Sequence, residues 1–164
     1  MTSSPKLSYV ALVSRDVPAA CEVLGGVLGL ARTDCALGGG DTVPVFATGE
    51  AALALFEPGD PFVHETDRTG VHHIGLSVDD VDATTARLAA AGIAARDAGM
   101  PGLAGGHVEL DPDATVGVRT CLVDPLTIDR SASSRIERID HLGVASSDNR
   151  KAISVFTDTL GLPI

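Results

Sequence analysis

The feature that most constrains the fold of this chain is an internal repeat that occurs three times within 164 residues. Each copy has an apolar stretch with strand periodicity, then an aspartate suited to cap a helix, then a helical stretch that ends at glycine. A supersecondary unit that recurs in this way predicts copies that pack together and share one core. The copies begin with residues 7–13, 71–78 and 139–145.

The three copies are in register with one another. Tyr9, His73 and His141 occupy equivalent positions in the three strand-like stretches. The first and third copies also keep the same distance from that position to the glycine of Leu-Gly-Leu, which is Gly29 in one and Gly161 in the other. Agreement in strand, cap and stop signals favours a true repeat over chance.

The first two copies are followed by further strand-like stretches, so each predicts a complete β-α-β-β-β unit. These stretches lie at 31–36, 41–47 and 51–56, and at 94–97, 107–110 and 117–123. The third copy is followed only by Pro163 and Ile164, so it predicts one strand and one helix. We therefore expect this chain to be part of a longer protein with at least four units.

Composition and charge argue against several classes of partner. The chain has 12 Lys and Arg against 22 Asp and Glu, a net charge of −10, which disfavours nucleic acid and anionic membranes but allows a small anion held by an arginine. It has no apolar run long enough for a transmembrane helix. Residues 1–6 lack the apolar region of a signal peptide. Together with three scattered cysteines, these features predict a cytoplasmic protein.

The repeat resembles the vicinal oxygen chelate superfamily of glyoxalases, methylmalonyl-CoA epimerases, extradiol dioxygenases and bleomycin-resistance proteins. The resemblance rests on Val71-His-His-Ile-Gly-Leu-Ser-Val-Asp-Asp-Val-Asp82, on Ala89-Ala-Ala-Gly-Ile93 and on residues 110–118, which look most like the epimerase and glyoxalase branches. It implies an α+β fold in which paired βαβββ units form a half-open barrel with a concave ligand cleft. The implied parts are a barrel at 6–128 (units 6–60 and 70–128), a linker at 129–136 and a β-α appendix at 137–164.

The resemblance also implies where a metal would bind. Metal-dependent members take one ligand from the first strand and one from the last strand of each unit. The equivalent positions here hold Tyr9, Ala54, His73 and Cys121, and only His73 matches. We therefore expect no cofactor in this chain, with His73 as its candidate metal ligand. A second barrel opening at His141 would allow a divalent metal (Mg, Mn, Co, Ni, Zn or Fe) in a longer protein.

Strand alternation predicts which side chains face the cleft. His73 shares its face with Gly75, whose small size leaves room. Arg119 and Cys121 share a face of the last strand. We predict ligand binding by Arg119, Tyr9 and Cys121, with the Arg119 guanidinium suited to a carboxylate or phosphate. The alternatives are an arginine at the barrel rim and a cysteine that is simply buried.

Two further residues share a face of the strand before it. His107 and Glu109 have the types and spacing of a general acid and base. Polar side chains that alternate along a strand are also typical of a solvent-facing surface, and the sequence favours that interpretation. No catalytic residue is assigned.

Three functions agree with these features. The preferred one is the N-terminal, metal-free barrel of a two-barrel glyoxalase- or epimerase-like isomerase or lyase, which acts on a small acid or acyl-CoA by metal-assisted proton transfer. The alternatives are half of an extradiol-type dioxygenase and a metal-free binding protein of the bleomycin-resistance kind. The unpaired strand and half-exposed helix of 137–164 predict homo-oligomers, formed by exchange of this segment between chains.

Overall fold

Eight strands form one mixed sheet, and three helices cover its outer face. The structure is a computed structural model that describes residues 4–37, 41–96, 102–103, 105, 107–131 and 136–163. The strands are β1 (Lys6–Val13), β2 (Arg32–Ala36), β3 (Thr42–Thr48), β4 (Ala51–Phe56), β5 (Gly70–Ser77), β6 (Ala95–Arg96), β7 (His107–Leu110) and β8 (Thr120–Val123). The helices are α1 (Val17–Cys21), α2 (Val81–Ala90) and α3 (Asn149–Ile153), with a 3₁₀ turn at Pro61–Val63. No helix within the described ranges has the length and apolarity to cross a membrane.

The sheet consists of two equivalent halves. Its order is β2-β3-β4-β1-β5-β8-β7-β6, so each half has the first strand of its unit paired in parallel with the last. The halves meet where β1 pairs antiparallel with β5. The sheet stays open, with β2 and β6 at its edges. The prediction of paired βαβββ units in an α+β fold is therefore confirmed.

All three helices begin with the same aspartate cap. The Oδ1 atoms of Asp16, Asp80 and Asp148 accept hydrogen bonds at 2.9, 2.8 and 2.9 Å from the backbone N–H three residues later. The glycine after each helix has a left-handed backbone that other residues rarely adopt, with φ of 69° at Gly29, 86° at Gly92 and 76° at Gly161. The aspartates and glycines predicted to begin and end the helices of the repeat are thus the residues that do so.

The first and third helices also share a widened last turn. Helix α1 continues as a π-helix over Glu22–Val27, and α3 continues as one over Ser154–Thr159. The N–H of Leu28 donates to the carbonyl of Val23, and the N–H of Leu160 donates to that of Val155, both at 2.9 Å. The two copies therefore fold alike at the level of individual hydrogen bonds.

The outer face of the sheet carries two apolar clusters. Ile74, Leu76 and Val78 of the second copy pack with Val81 and Leu88 of α2, as their alternation predicts. Val155 and Leu160, from the π-helical turn that continues α3, join this cluster and cover part of the sheet. A smaller cluster of Leu30, Phe46 and Leu55 packs against α1.

The inner face carries a second core, which fills the cleft that the sequence predicts to be open. The 3₁₀ turn between the units folds back over the sheet and buries Phe62 and Val63 there. Leu103 and Leu126 pack against the same face. The prediction of a roomy concavity is wrong, because the connecting segments bring their own apolar side chains to cover the small residues of the strands.

The appendix at 137–164 differs from its prediction at its strand. Residues 136–146 form no strand, although the sequence predicts one over 139–145. The positions beside β1 belong to β4 and β5, and this segment pairs with neither open edge of the sheet, β2 or β6. The helix face predicted to be half-exposed is divided, since Val155 and Leu160 are 9% and 1% exposed whereas Ile153 is 51% exposed.

The predicted linker 129–136 lies partly outside the described residues, which omit 132–135. Its first part is anchored on the β3–β4 turn. There the guanidinium of Arg130 donates to the carbonyl oxygens of Gly49 and Ala51 at 2.6 and 3.1 Å.

Candidate functional site

The polar centre of the inner face is a pair formed by Tyr9 of β1 and His73 of β5. The Tyr9 hydroxyl and His73 Nε2 are 3.1 Å apart, and the two side chains are almost wholly buried. Gly75 makes the pairing geometrically feasible, because a Cβ there would lie 2.2 Å from the Tyr9 ring. The sequence therefore matches a large ring on one strand with an empty position on its neighbour.

Burial decides which of the two carries the proton. Loss of solvent raises the pKa of Tyr9 well above its usual value and lowers the pKa of His73 well below its usual value. The phenol therefore stays protonated and the imidazole stays neutral at physiological pH. A neutral imidazole either accepts the Tyr9 O–H at Nε2 or donates an Nε2–H to the Tyr9 oxygen, so either tautomer of His73 forms this hydrogen bond.

The polar chain continues from His73 to His72. Their Nδ1 atoms are 2.8 Å apart. Where the Tyr9 O–H donates to His73 Nε2, the His73 ring hydrogen is on Nδ1 and donates to His72 Nδ1; in the reverse chain His72 Nδ1–H donates to His73 Nδ1. Burial, with the nearby positive charge of Arg119, lowers the pKa of His72 to about 4. His72 is therefore neutral, and its ring hydrogen is on Nε2 in the first chain and on Nδ1 in the second.

A buried carboxylate holds two cationic or polar groups at the edge of this site. Glu109 of β7 accepts from Arg119 Nη1 through Oε1 and from His64 Nε2 through Oε2, both at 3.0 Å. Its side chain is only 6% exposed, whereas that of Arg119 is 39% exposed. Charge-assisted bonds to both oxygens compensate for the loss of hydration of a buried carboxylate.

Glu109 therefore corrects the interpretation of β7 as a solvent-facing strand. It lies opposite Cys121 in the β7–β8 ladder and shares its buried face. The sequence of β7 looks solvent-facing because it contains Glu109, but the partners that stabilise this buried carboxylate, Arg119 and His64, lie outside the strand. The nearby Phe62 ring, 5.6 Å from the ring of His107, covers the same region.

A pocket of about 360 Å³ opens beside these groups, at the start of β5. Its walls are made by the segment before β5 together with the side of Arg119. The lining residues are His64, Thr66, Arg68, Thr69, Gly70, Val71, His72 and Arg119. This volume is within the range of small-molecule sites in proteins.

The residues at the family's metal-ligand positions do not fit a divalent ion. Tyr9 is a protonated phenol committed to His73, and Ala54 has no donor atom. Burial raises the pKa of Cys121 to about 12, so its thiol is protonated at neutral pH. Within the part of the chain that the structure describes, no three His, Cys, Asp or Glu side chains form a group able to hold a metal.

The structure brings some predicted site residues together and separates others. Tyr9, His73 and Cys121 lie together in the inner core, where Tyr9 and Cys121 are too deeply buried to touch a ligand. Arg119 lines the pocket. His141 lies elsewhere on an exposed segment, with its Nδ1 3.4 Å from Asp140.

Sequence reasoning missed His64 as a site residue. It follows the 3₁₀ turn in a left-handed conformation, with φ of 54°, which is rare for a residue with a side chain. That conformation directs its ring to Glu109. Asp60, which caps the turn by accepting from the N–H of Phe62 at 2.7 Å, was a local signal that could have indicated an ordered turn here.

Comparison with known proteins identifies relatives of the chain. Residues 6–114 match the family model described as "Glyoxalase/Bleomycin resistance protein/Dioxygenase superfamily". No curated protein sequence is significantly similar to the chain.

Several solved structures share its fold. A hypothetical protein from Bacillus halodurans C-125 aligns with a TM-score of 0.63 at 18% identity, over 77% of this chain and 99% of its own. Methylmalonyl-CoA epimerase from Mycobacterium tuberculosis aligns with a TM-score of 0.58 at 22% identity, over 74% of this chain and 88% of its own. A Streptomyces coelicolor methylmalonyl-CoA epimerase in complex with 2-nitronate-propionyl-CoA aligns with a TM-score of 0.61 at 22% identity, over 76% of this chain and 100% of its own. At these identities the likeness shows a common fold alone.

Proposed function

The chain belongs to the glyoxalase/bleomycin resistance protein/dioxygenase superfamily, and we propose that its barrel at 6–128 binds a small molecule without a catalytic metal on the inner face. The proposal is the metal-free binding function among the three that the sequence allows. Its main support is the hydrogen bond between Tyr9 and His73, which occupies two of the four positions from which metal-dependent relatives coordinate an ion.

The chemistry of these positions makes metal binding costly. An ion would have to break the Tyr9–His73 hydrogen bond. It would then have one neutral imidazole as a ligand in place of its hydration water. One imidazole is too few ligands to replace the hydration shell of a divalent cation, which binds proteins through about four or more donor atoms. The stacked rings of Phe56 and Phe62, 4.9 Å apart beside His73, further exclude the water ligands that a poorly coordinated ion would keep.

The proposal is tested by metal content and by thermal shifts. We expect purified protein to contain far less than one equivalent of metal, and its melting temperature to be insensitive to Mn²⁺, Co²⁺, Ni²⁺, Zn²⁺ and Fe²⁺. His73→Ala is the test variant, and His141→Ala, which changes an exposed histidine, is its matched control. One equivalent of metal that His73→Ala loses and His141→Ala keeps would overturn the proposal.

The third copy supports a second candidate, a two-barrel enzyme whose chemistry lies in another barrel. The helix of that copy repeats the cap and the widened turn of α1. In this reading a glyoxalase- or epimerase-like barrel performs proton transfer on a small acid or acyl-CoA, and barrel 6–128 supports it. Proton exchange catalysed by residues 1–164 themselves would contradict a catalytic site in another barrel.

A further inference from the structure

The pocket at the start of β5 differs in charge from the molecule around it. The protein has a net charge of −10, yet among described residues the pocket is lined by two arginines, two histidines and no carboxylate. A second cavity of about 380 Å³ has the opposite character, since Glu57 and Asp60 line it and no basic residue does. Because Glu109 pairs with Arg119, the excess positive charge of the lining comes from Arg68, and a concave site of this sign favours an anion.

Arg119 keeps donors for such a ligand. Glu109 Oε1 takes a hydrogen bond from its Nη1, and a guanidinium has five N–H donors. The carboxylate lies beneath and holds the planar group in place, while more than a third of the Arg119 side chain remains exposed. A guanidinium held on one edge is well suited to bind a second oxyanion in a defined geometry.

His72 contributes a hydrogen-bond donor without adding charge. With Tyr9 as the donor to His73, the chain of hydrogen bonds ends on His72 Nδ1, which places the ring hydrogen of His72 on Nε2. The ring lines the pocket. A ligand atom opposite Nε2 must therefore be an acceptor, as an oxyanion oxygen is.

We propose that this pocket is a binding site for a small oxyanion, a carboxylate or a phosphate, held by Arg68 and Arg119 and by the Nε2–H of His72. The inference deepens the proposed function, because it names the ligand chemistry and the site of that metal-free binding. Tyr9 acts as a positioning residue that sets the tautomer of His72 through His73. The exposed side chain of Val71 provides an apolar wall for the rest of the ligand.

The test is calorimetric titration of EDTA-treated full-length protein with succinate and, separately, with inorganic phosphate. We expect binding of at least one probe, weakened about tenfold or more in Arg68→Gln and in Arg119→Gln, as loss of a charge-assisted hydrogen bond predicts. Arg96→Gln is the matched control, since Arg96 pairs with Asp111 outside the pocket and its loss leaves binding unchanged. Arg68 is exposed and outside the Glu109 ion pair, so its variant tests the site even where Arg119→Gln unfolds.

The outcomes separate the inference from the function on which it rests. Binding of succinate alone identifies a carboxylate ligand, and binding of phosphate alone identifies a phosphate. Failure of both probes to bind, or binding that neither arginine variant weakens, overturns the site. Binding that appears only with added Mn²⁺ and disappears in His73→Ala overturns metal-free binding itself.

The role of Tyr9 has a spectroscopic readout. The ¹⁵N chemical shifts of His72 should report Nε2–H in the wild-type protein and a mixture of tautomers in Tyr9→Phe, together with weaker oxyanion binding. An unchanged tautomer in Tyr9→Phe would overturn the positioning role.

Discussion

Gly75 leaves the space on β5 that the ring of Tyr9 occupies. A Cβ at this position would lie 2.2 Å from Tyr9 Cε1, a distance that packed atoms do not reach. The glycine therefore determines whether the tyrosine hydroxyl can reach His73. Through that contact, a missing side chain in the core allows the hydrogen-bonded chain from Tyr9 through His73 to His72.

The buried histidines make stability depend on pH at this residue scale. The pKa of His72 is lowered from 6.5 to about 4, and that of His73 is also well below 6.5. Between pH 6.5 and about 4 the unfolded chain binds protons that the folded chain does not, so acidification favours unfolding. The groups around His72 are His64, Arg119 and Glu109, of which the first two oppose its protonation.

We predict that the urea midpoint of unfolding falls as pH decreases from 6.5 to about 4. His72→Gln should reduce this decrease, because it removes one group that takes up a proton on unfolding. His141→Gln should leave it unchanged, because that ring is 84% exposed. Equal pH dependence in wild type and His72→Gln would contradict the protonation states assigned to the site.

At the scale of elements, each helix depends on one aspartate. Asp80 accepts from the N–H of Ala83, whereas Asp82 lies in the first turn of α2. The two acids differ by two positions in the sequence, yet only Asp80 is the cap residue.

Asp80→Ala should therefore lower the free energy of unfolding by about 1 kcal/mol. Asp82→Ala should cost less, about 0.5 kcal/mol, since it loses only a favourable interaction with the helix dipole. Chemical denaturation of both variants measures the difference. Equal losses would mean that general negative charge, and not the hydrogen bond, stabilises the start of α2.

At the scale of the whole molecule, the third copy is a helix docked on the barrel of the first two. Leu160 is 1% exposed and packs in the outer core, whereas Ile153 on the same helix is 51% exposed. The guanidinium of Arg87 on α2 donates to the carbonyl of Thr159 at 3.1 Å and ties the two helices together. Exchange of 137–164 between chains stays a prediction, and in a swapped dimer the same side chains would pack on the partner.

We expect Leu160→Ala to lower the free energy of unfolding by about 2–5 kcal/mol, the usual cost of emptying a buried leucine site. Ile153→Ala should change it by about 0.5 kcal/mol or less. Urea unfolding monitored by circular dichroism compares the two. A small effect of Leu160→Ala would show that α3 contributes little to the fold of the barrel.

Local signals explain how much of the fold was predictable. The three caps, the glycine stops and the alternation of Ile74, Leu76 and Val78 depend only on neighbours within a few residues. Seven of the eight described strands were predicted to within two residues at each end, and β8 begins three residues later than predicted. The family resemblance followed from the same local patterns.

The candidate site was less predictable because its contacts join distant parts of the chain. His64 and Glu109 are far apart in sequence, and nothing local indicates that His64 Nε2 and Glu109 Oε2 lie 3.0 Å apart. The strand predicted over 139–145 does not form, because strand periodicity by itself does not bring a segment to a ladder partner.

The sequence alone determined the repeat, the helix boundaries, the pairing of two βαβββ units and the mismatch with the family's metal ligands. Each of these depends on residue type and spacing along the chain. The tertiary structure alone decided that the inner face is a packed core, that Glu109 is buried between Arg119 and His64, and that the third helix packs on the barrel. Those outcomes depend on which side chains meet after folding, and burial then lowers the pKa of the histidines beside the pocket.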